Sequence, residues 1–295
     1  MAAGKGGRKK GGGRSRIILA LLLLGLLVVT LAAVFVLLFL RPFEKRPVAA
    51  GAVKVETPAA RSAETAPPAA AGVAGRQLPL LAIVIDDMGY QPRIDEELLR
   101  LDLDLSFAFL PYGPHTVDQA ALAGRLGRDI LLHVPMEPRE SGEGLGPGAL
   151  TLAMGPAERA AVFAEDLARV GQAVGVNNHM GSRFTADRAA MRDFLAGVRE
   201  RHLFFLDSVT AGDSLGYELA GELGVKRGRR QVFIDNVRET GQIVARIREL
   251  LAVAEHQGQA VGIGHPSPET LAALRTAGPE IEGRARLVGV SRLMH

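Results

Sequence analysis

The chain predicts an α/β fold: a deformed (β/α) barrel of about seven parallel strands, preceded by one transmembrane helix and a disordered tether. Three observations predict it. Beyond residue 79, short apolar runs without polar alternation, such as Leu80 to Ile85, take turns with amphipathic stretches. Runs of that kind read as strands buried on both faces, as in parallel sheets covered by helices. Polar residues then fall at or just after the ends of those runs, where α/β folds gather their chemistry. Upstream, one long uncharged run follows a cluster of basic residues.

That upstream part divides into three. Residues 1–16 carry Lys5, Arg8, Lys9, Lys10, Arg14 and Arg16 and no acid. Residues 17–40 hold no charge, and Arg41 closes the run, which is long enough to cross a bilayer as a helix. A cleaved signal peptide has a shorter apolar core and a small-residue cleavage site behind it. The expectation is therefore an uncleaved inner-membrane anchor at 17–40, with the basic segment cytoplasmic and the remainder periplasmic. Removing the six cations from the formal charge of +3 leaves residues 17–295 at −3, so the basic balance is topological and no nucleic-acid partner is expected. Residues 41–78, rich in Ala, Pro and Gly, read as a linker without period. Residues 79–295 are long enough for one domain with its own core. There is no cysteine, which excludes disulfides, thiol nucleophiles and cysteine metal sites.

Within the domain the elements follow in order. The first strand ends at Asp86-Asp87-Met88-Gly89, and Leu103 to Leu110 reads as the second. Thr116 to Leu126 is helical, and Ile130 to Val134 is a strand leading to Pro135-Met136-Glu137-Pro138. A glycine-rich loop, 141–148, precedes a helix from Pro156 to Val170, with proline placed where a helix start tolerates it. Gly175-Val176 leads into Asn177-Asn178-His179-Met180-Gly181-Ser182. Asp187 to Arg201 is helical, and Leu203 to Leu206 is a strand stopping at Asp207-Ser208. Gln231 to Ile234 stops at Asp235-Asn236, Val237 to His256 is a long helix, and Ala260 to Ile263 stops at Gly264-His265-Pro266. Leu287 to Val290 reads as a last short strand.

Two adjacent carboxylates, Asp86 and Asp87, repel unless a cation compensates them, and no Lys or Arg stands near before Arg93. A metal ion is the first candidate, and an Asp-Asp helix cap or turn is the plainer alternative. Asp207 and Asp235 also suit caps. His133, His179 and His265 do not, because histidine is not a favoured cap; with Asp-Asp they read as one site on the carboxyl rim.

The set IDDMG, LLHVPMEP, GVNNHMGS, FFLDS and IGHP resembles the divergent polysaccharide deacetylase family of bacterial envelope proteins (YibQ type). These are distant relatives of the NodB-type carbohydrate esterases in the glycoside hydrolase/deacetylase barrel superfamily. The likeness covers residues 79–295. It implies Asp86 as catalytic base, Asp87 and His179 as metal ligands and His265 as catalytic acid, with a divalent metal, expected to be zinc. In NodB-type relatives two histidines four apart complete the metal site. Here Arg183 stands four residues after His179. His133, whose strand end lies on the same rim, is the expected replacement. Asn178, Ser182, Glu137 and Asp207 are candidates for substrate or oxyanion contact.

The reading that follows is a metal-dependent hydrolase removing N-acetyl groups from an envelope glycan or peptidoglycan fragment. Two alternatives stay open. The missing second histidine suits a catalytically impaired carbohydrate-binding or scaffolding protein. A glycosidase of the same superfamily would need Glu137 or Asp207 to face Asp86 or Asp87 across a sugar. With no Trp, a long stacked sugar cleft is not expected, and Tyr90, Tyr112 and Phe184 are the aromatic candidates for contact.

Overall fold

The computed structural model describes residues 78–140 and 145–295. The expected anchor at 17–40 and most of the linker lie outside the described residues, and among those described no helix is long and apolar enough to cross a membrane. Nine strands and seven helices are described: β1 Leu80–Met88, α1 Pro92–Leu99, β2 Ser106–Phe109, α2 Thr116–Arg125, β3 Ile130–Met136, α3 Pro156–Arg169, β4 Gly175–Met180, α4 Arg188–Glu200, β5 Phe204–Asp207, α5 Gly216–Glu222, β6 Arg227–Arg229, β7 Val232–Phe233, α6 Thr240–Gln257, β8 Gln259–Gly264, α7 Pro268–Arg284 and β9 Arg286–Leu287. A short 3₁₀ turn, Val290–Leu293, ends the domain.

The strands pair in the order β6-β5-β4-β3-β2-β1-β8-β7, with β9 beside the start of β1, and every pairing is parallel. The expected deformed barrel is thus a curved sheet with eight strands along its path. Its two end strands, β6 and β7, follow one another in sequence without sharing a ladder. Near β6 the carboxyl terminus fills in: Arg227 and His295 exchange backbone hydrogen bonds at 2.9 and 3.2 Å. The sequence pattern does not announce β6, which is a three-residue Arg-Gly-Arg strand, nor α5. Helix α7 carries Gly278 and Pro279 inside it, which blurs its apolar stripe.

Residue parity explains why the strands read as unbroken apolar runs. Along β1, Leu81, Ile83 and Ile85 belong to the large core beneath the helices, while Ala82 and Val84 belong to a second core with Ala108, Leu131, Leu206, Val261, Ile263, Leu293 and Met294. That second core fills the inside of the curved sheet. Both faces of each central strand are therefore dry, and successive side chains alternate between two apolar environments. Counting in twos along the inner face places His133 after Leu131 and His265 after Ile263, with Asp86 after Val84. Apolar filling gives way to polar groups at the carboxyl mouth.

Candidate active site

Asp86 and Asp87 are neighbours, so a regular strand would point them to opposite faces. The backbone prevents that. The β1–β2 register shifts between Ile85 and Met88, and Asp87 has φ of 55°, the left-handed region that non-glycine residues seldom occupy. Both carboxylates thereby come to one mouth. Gly89 follows at φ 110°, and a Cβ there would stand 2.2 Å from Thr116 Oγ1. The end of β4 repeats the device, with Met180 at φ 52° and Gly181 at φ 91°, where a Cβ would meet Met136 Cβ at 2.9 Å. Backbone strain of this sort concentrates at functional sites.

Asp87, His133 and His179 meet in a triangle. Asp87 Oδ1 lies 2.9 Å from His179 Nδ1 and 3.2 Å from His133 Nε2, and the two ring nitrogens are 3.2 Å apart. Oδ1 is out of water and receives no well-aligned N–H despite those short distances, so the three atoms converge on a common point instead of satisfying one another. A tetrahedral zinc with bonds of about 2.0–2.1 Å spaces its ligand atoms about 3.3 Å apart, close to the edges of this triangle. The donor set, one carboxylate and two imidazoles, fits zinc and leaves a position open.

Asp86 sits behind this triangle, fully buried, with Oδ2 3.7 Å from His133 Nε2. Asn177 joins them. Its amide nitrogen donates to Asp86 Oδ1 at 2.8 Å and to Ser208 Oγ at 3.2 Å, and its oxygen faces His133 Nδ1 at 2.9 Å. On the other side, His265 Nε2 lies 3.9 Å from Asp87 Oδ2, and its Nδ1 lies 3.2 Å from Asp235 Oδ1.

The charges perturb each other in a consistent direction. Burial pushes the Asp86 carboxyl above its ordinary range, helped by the neighbouring Asp87 charge, while His133 and His265 pull against it. Burial also works to raise Asp87, but His133 and His179 beside it hold that carboxyl well below the usual range. Burial alone would lower His265; the hydrogen bond to Asp235 and the charges of Asp86, Asp235 and Asp87 outweigh it and raise the imidazole. His133, also buried, is pushed up to about 9, chiefly by the Asp86 and Asp87 charges.

A cavity of about 460 Å³ opens over these groups, lined by Asp86, His133, Asn178, His179, Ser182 and His265, with Pro138, Glu140, Met180, Ser208, Thr210 and Phe233 completing the wall. A larger cavity, about 1170 Å³, lies between the amino end of β1 and the carboxyl ends of α6 and α7, and no histidine lines it.

The nine residues picked from the sequence divide by their contacts. Asp86, Asp87, His133, His179 and His265 are drawn together. Asn178 reaches the cavity wall, yet its amide donates to Met180 O (2.8 Å) and Thr210 Oγ1 (3.3 Å), and its oxygen accepts the Ser208 N–H (2.9 Å). Ser182 Oγ accepts the Arg139 N–H at the rim. Glu137 and Asp207 are not in the cavity wall. Glu137 accepts the Leu152 N–H at 2.6 Å and pairs with Arg183 at 2.5 Å. Asp207 takes the N–H groups of Val209 and Tyr217 and the Ser214 hydroxyl. Parity accounts for the split: Asp207 shares the outward parity of Phe205, whereas Ser208 falls with the inward Leu206. Asn177, Asp235 and Phe233 join the site beyond those nine; they share the inward parity of His179 and of the strand beside His265, a phase that only the packing reveals.

Comparison with known proteins bears on the whole of this site. Residues 83–294 match the family described as divergent polysaccharide deacetylase. An uncharacterised protein of Haemophilus influenzae is 36% identical over 215 residues, 72% of this chain and 76% of that protein. The uncharacterised protein YibQ of Escherichia coli is 34% identical over 215 residues, 73% of this chain and 67% of that one. Among solved structures, an uncharacterised protein of Agrobacterium tumefaciens is similar with a TM-score of 0.70 at 27% identity, covering 74% of this chain and 90% of that one. The match runs from before Asp86 to beyond His265, and the chain belongs to the divergent polysaccharide deacetylase family.

Proposed function

We propose that the domain is a metal-dependent deacetylase that removes N-acetyl groups from a cell-envelope glycan or peptidoglycan fragment. The observation that carries the reading is the triangle of Asp87, His133 and His179 with Asp86 and His265 on either side, four of the five (Asp86, His133, His179 and His265) lining one cavity. Zinc held by that triangle would polarise the acetamide carbonyl and lower the pKa of water. Asp86 takes the proton from the attacking water as a C–O bond forms. Its raised pKa makes it a stronger base than an ordinary aspartate, and Asn177 fixes Oδ1 so that Oδ2 faces the cavity side. His265 delivers a proton to the departing nitrogen as the C–N bond breaks, giving acetate and a free amine. The upward shift of its pKa favours the protonated imidazole that this task needs. Asn178 holds the loop after β5 against Met180 and shapes the wall, while Ser182 and Ser208 present hydroxyls to the substrate.

Glu137 and Asp207, the carboxylates a glycosidase would need opposite Asp86 or Asp87, are committed to loop hydrogen bonds, which disfavours that reading. The binding-protein reading rested on the histidine missing beside His179. His133 stands in the triangle as a second imidazole, which favours the enzyme over that reading. We further propose that residues 17–40 anchor the chain in the inner membrane with the domain in the periplasm, which would bring the site to envelope glycans.

The test is acetate release from chitooligosaccharides and peptidoglycan fragments by purified protein, before and after chelation and after zinc is restored. Release that stops on chelation and returns with zinc supports the reading. Tight glycan binding without release under all three conditions would establish the binding protein instead.

A further inference from the structure

His133 and Asn177 are ladder partners on adjacent parallel strands, and both fall on the inner face. Asn177 is fully buried and every polar atom of its side chain is used: oxygen toward His133 Nδ1, nitrogen to Asp86 Oδ1 and to Ser208 Oγ. Its orientation is not arbitrary. An ionised Asp86 only accepts, so the amide nitrogen must face it, and the oxygen is left for the imidazole. That oxygen needs a donor, so the proton that His133 keeps when it binds a metal is the one on Nδ1, and Nε2, freed of its own proton, turns its lone pair toward Asp87 and His179.

We infer that Asn177 is the positioning residue of this centre: one buried amide that sets the His133 tautomer for metal binding and, by its opposite end, aims the Asp86 carboxylate. The inference rests on the metal-dependent reading and deepens it. Nearby donors do not duplicate the arrangement. His179 reaches the triangle through Nδ1 and Asp87 through Oδ1, and the Asn177 side chain hydrogen-bonds to neither. Because the two ends of the amide do different work, substitutions can separate them. Asn177→Asp keeps an acceptor for His133 but loses the donor to Asp86 and sets a like charge beside it. Asn177→Leu, of similar size, loses both.

The experiment measures zinc affinity of the full chain by competition with a chromophoric chelator, together with acetate release. Asn177→Leu should bind zinc 10- to 100-fold more weakly, the usual cost of losing a partner of a metal-bound histidine. Asn177→Asp should hold zinc within about threefold of the wild type or tighter, while turnover falls by at least about tenfold with KM little changed. A structural role alone would move both properties together in both variants. Since Asn177→Leu risks misfolding, nitrogen-15 spectra of the histidine rings in zinc-loaded wild-type protein give a second reading. They should show His133 protonated at Nδ1; a proton on Nε2 overturns the inference, as does unchanged zinc affinity in a folded Asn177→Leu. Wild-type protein that binds no zinc would fail the metal-dependent reading and the inference with it. Zinc binding insensitive to Asn177 would fail the inference alone.

Discussion

Asp235 holds His265 by both of its oxygens: Oδ2 accepts the His265 backbone N–H at 2.6 Å, and Oδ1 lies 3.2 Å from the ring Nδ1. The Thr270 hydroxyl braces Oδ2 at 3.3 Å, and Phe233 leans on the imidazole at a centroid distance of 5.1 Å. The ring is fixed with Nδ1 toward Asp235, which leaves Nε2 as the atom that faces the cavity. A carboxylate in this place orients the imidazole and favours its charged form.

Replacement of His265 with Asn should therefore leave zinc content unchanged and lower turnover by about 10²- to 10⁴-fold, the worth of a general acid. Zinc quantification beside acetate assays checks it. Loss of zinc would make His265 a ligand. Asp235→Asn removes the charge that raises the imidazole, so the alkaline limb of the turnover profile should move to lower pH.

The ligand triangle makes a separate prediction. His133→Ala and His179→Ala should each bring zinc content to well below one per chain, while far-ultraviolet circular dichroism stays that of the folded domain. Full stoichiometry in both variants would remove the triangle as a metal site.

Asp166, on α3, offers a pH test away from the site. It is fully buried, neither carboxylate oxygen has a partner, and Gly148 packs so closely that a Cβ there would sit 2.3 Å from Oδ1. Burial, with a further push from the Glu165 charge, raises its pKa to about 8. The unfolded chain releases this proton near the ordinary value of about 3.9. Between those two values the folded state binds the proton and the unfolded state does not, so this group's stabilising contribution is whole below about pH 4 and is lost as pH rises through about 8. Asp166→Asn, which never ionises, should melt several degrees higher at pH 8.5, on the order of 1–3 kcal/mol. The gap between the two melting temperatures should close toward pH 4. A gap that stays constant with pH would mean that Asp166 does not titrate in this range.

The topology is open to a direct check. A reporter fused after His295 that is active only in the periplasm should be active, and one active only in the cytoplasm should be silent. A mature protein beginning near residue 50 would replace the proposed anchor with a cleaved signal.

How much of this was legible beforehand follows from the physics of the strands. The apolar runs Leu80–Ile85, Ile130–Val134 and Ala260–Ile263 are dry on both faces, under helices on one side and around the filled interior on the other, so the fold class and the run ends could be read directly. Asp86, Asp87, His133, His179 and His265 stood out because polar groups at such ends demand partners. The short Arg227–Arg229 strand left no mark, because a three-residue strand of Arg and Gly has no apolar pattern to show.

By itself, then, the sequence determined the parallel α/β architecture, the family and the five groups that meet at the mouth. Tertiary structure decided which polar neighbours join them. Whether Asn177 or Asn178 faces the centre, and Asp207 or Ser208, depends on which parity points inward, and a run that is apolar on both faces does not reveal that. The bulge at Asp87 reverses even that rule, because a left-handed φ brings two consecutive carboxylates to one side. Local periodicity fixes alternation; only packing against helices outside and the filled barrel inside fixes its phase.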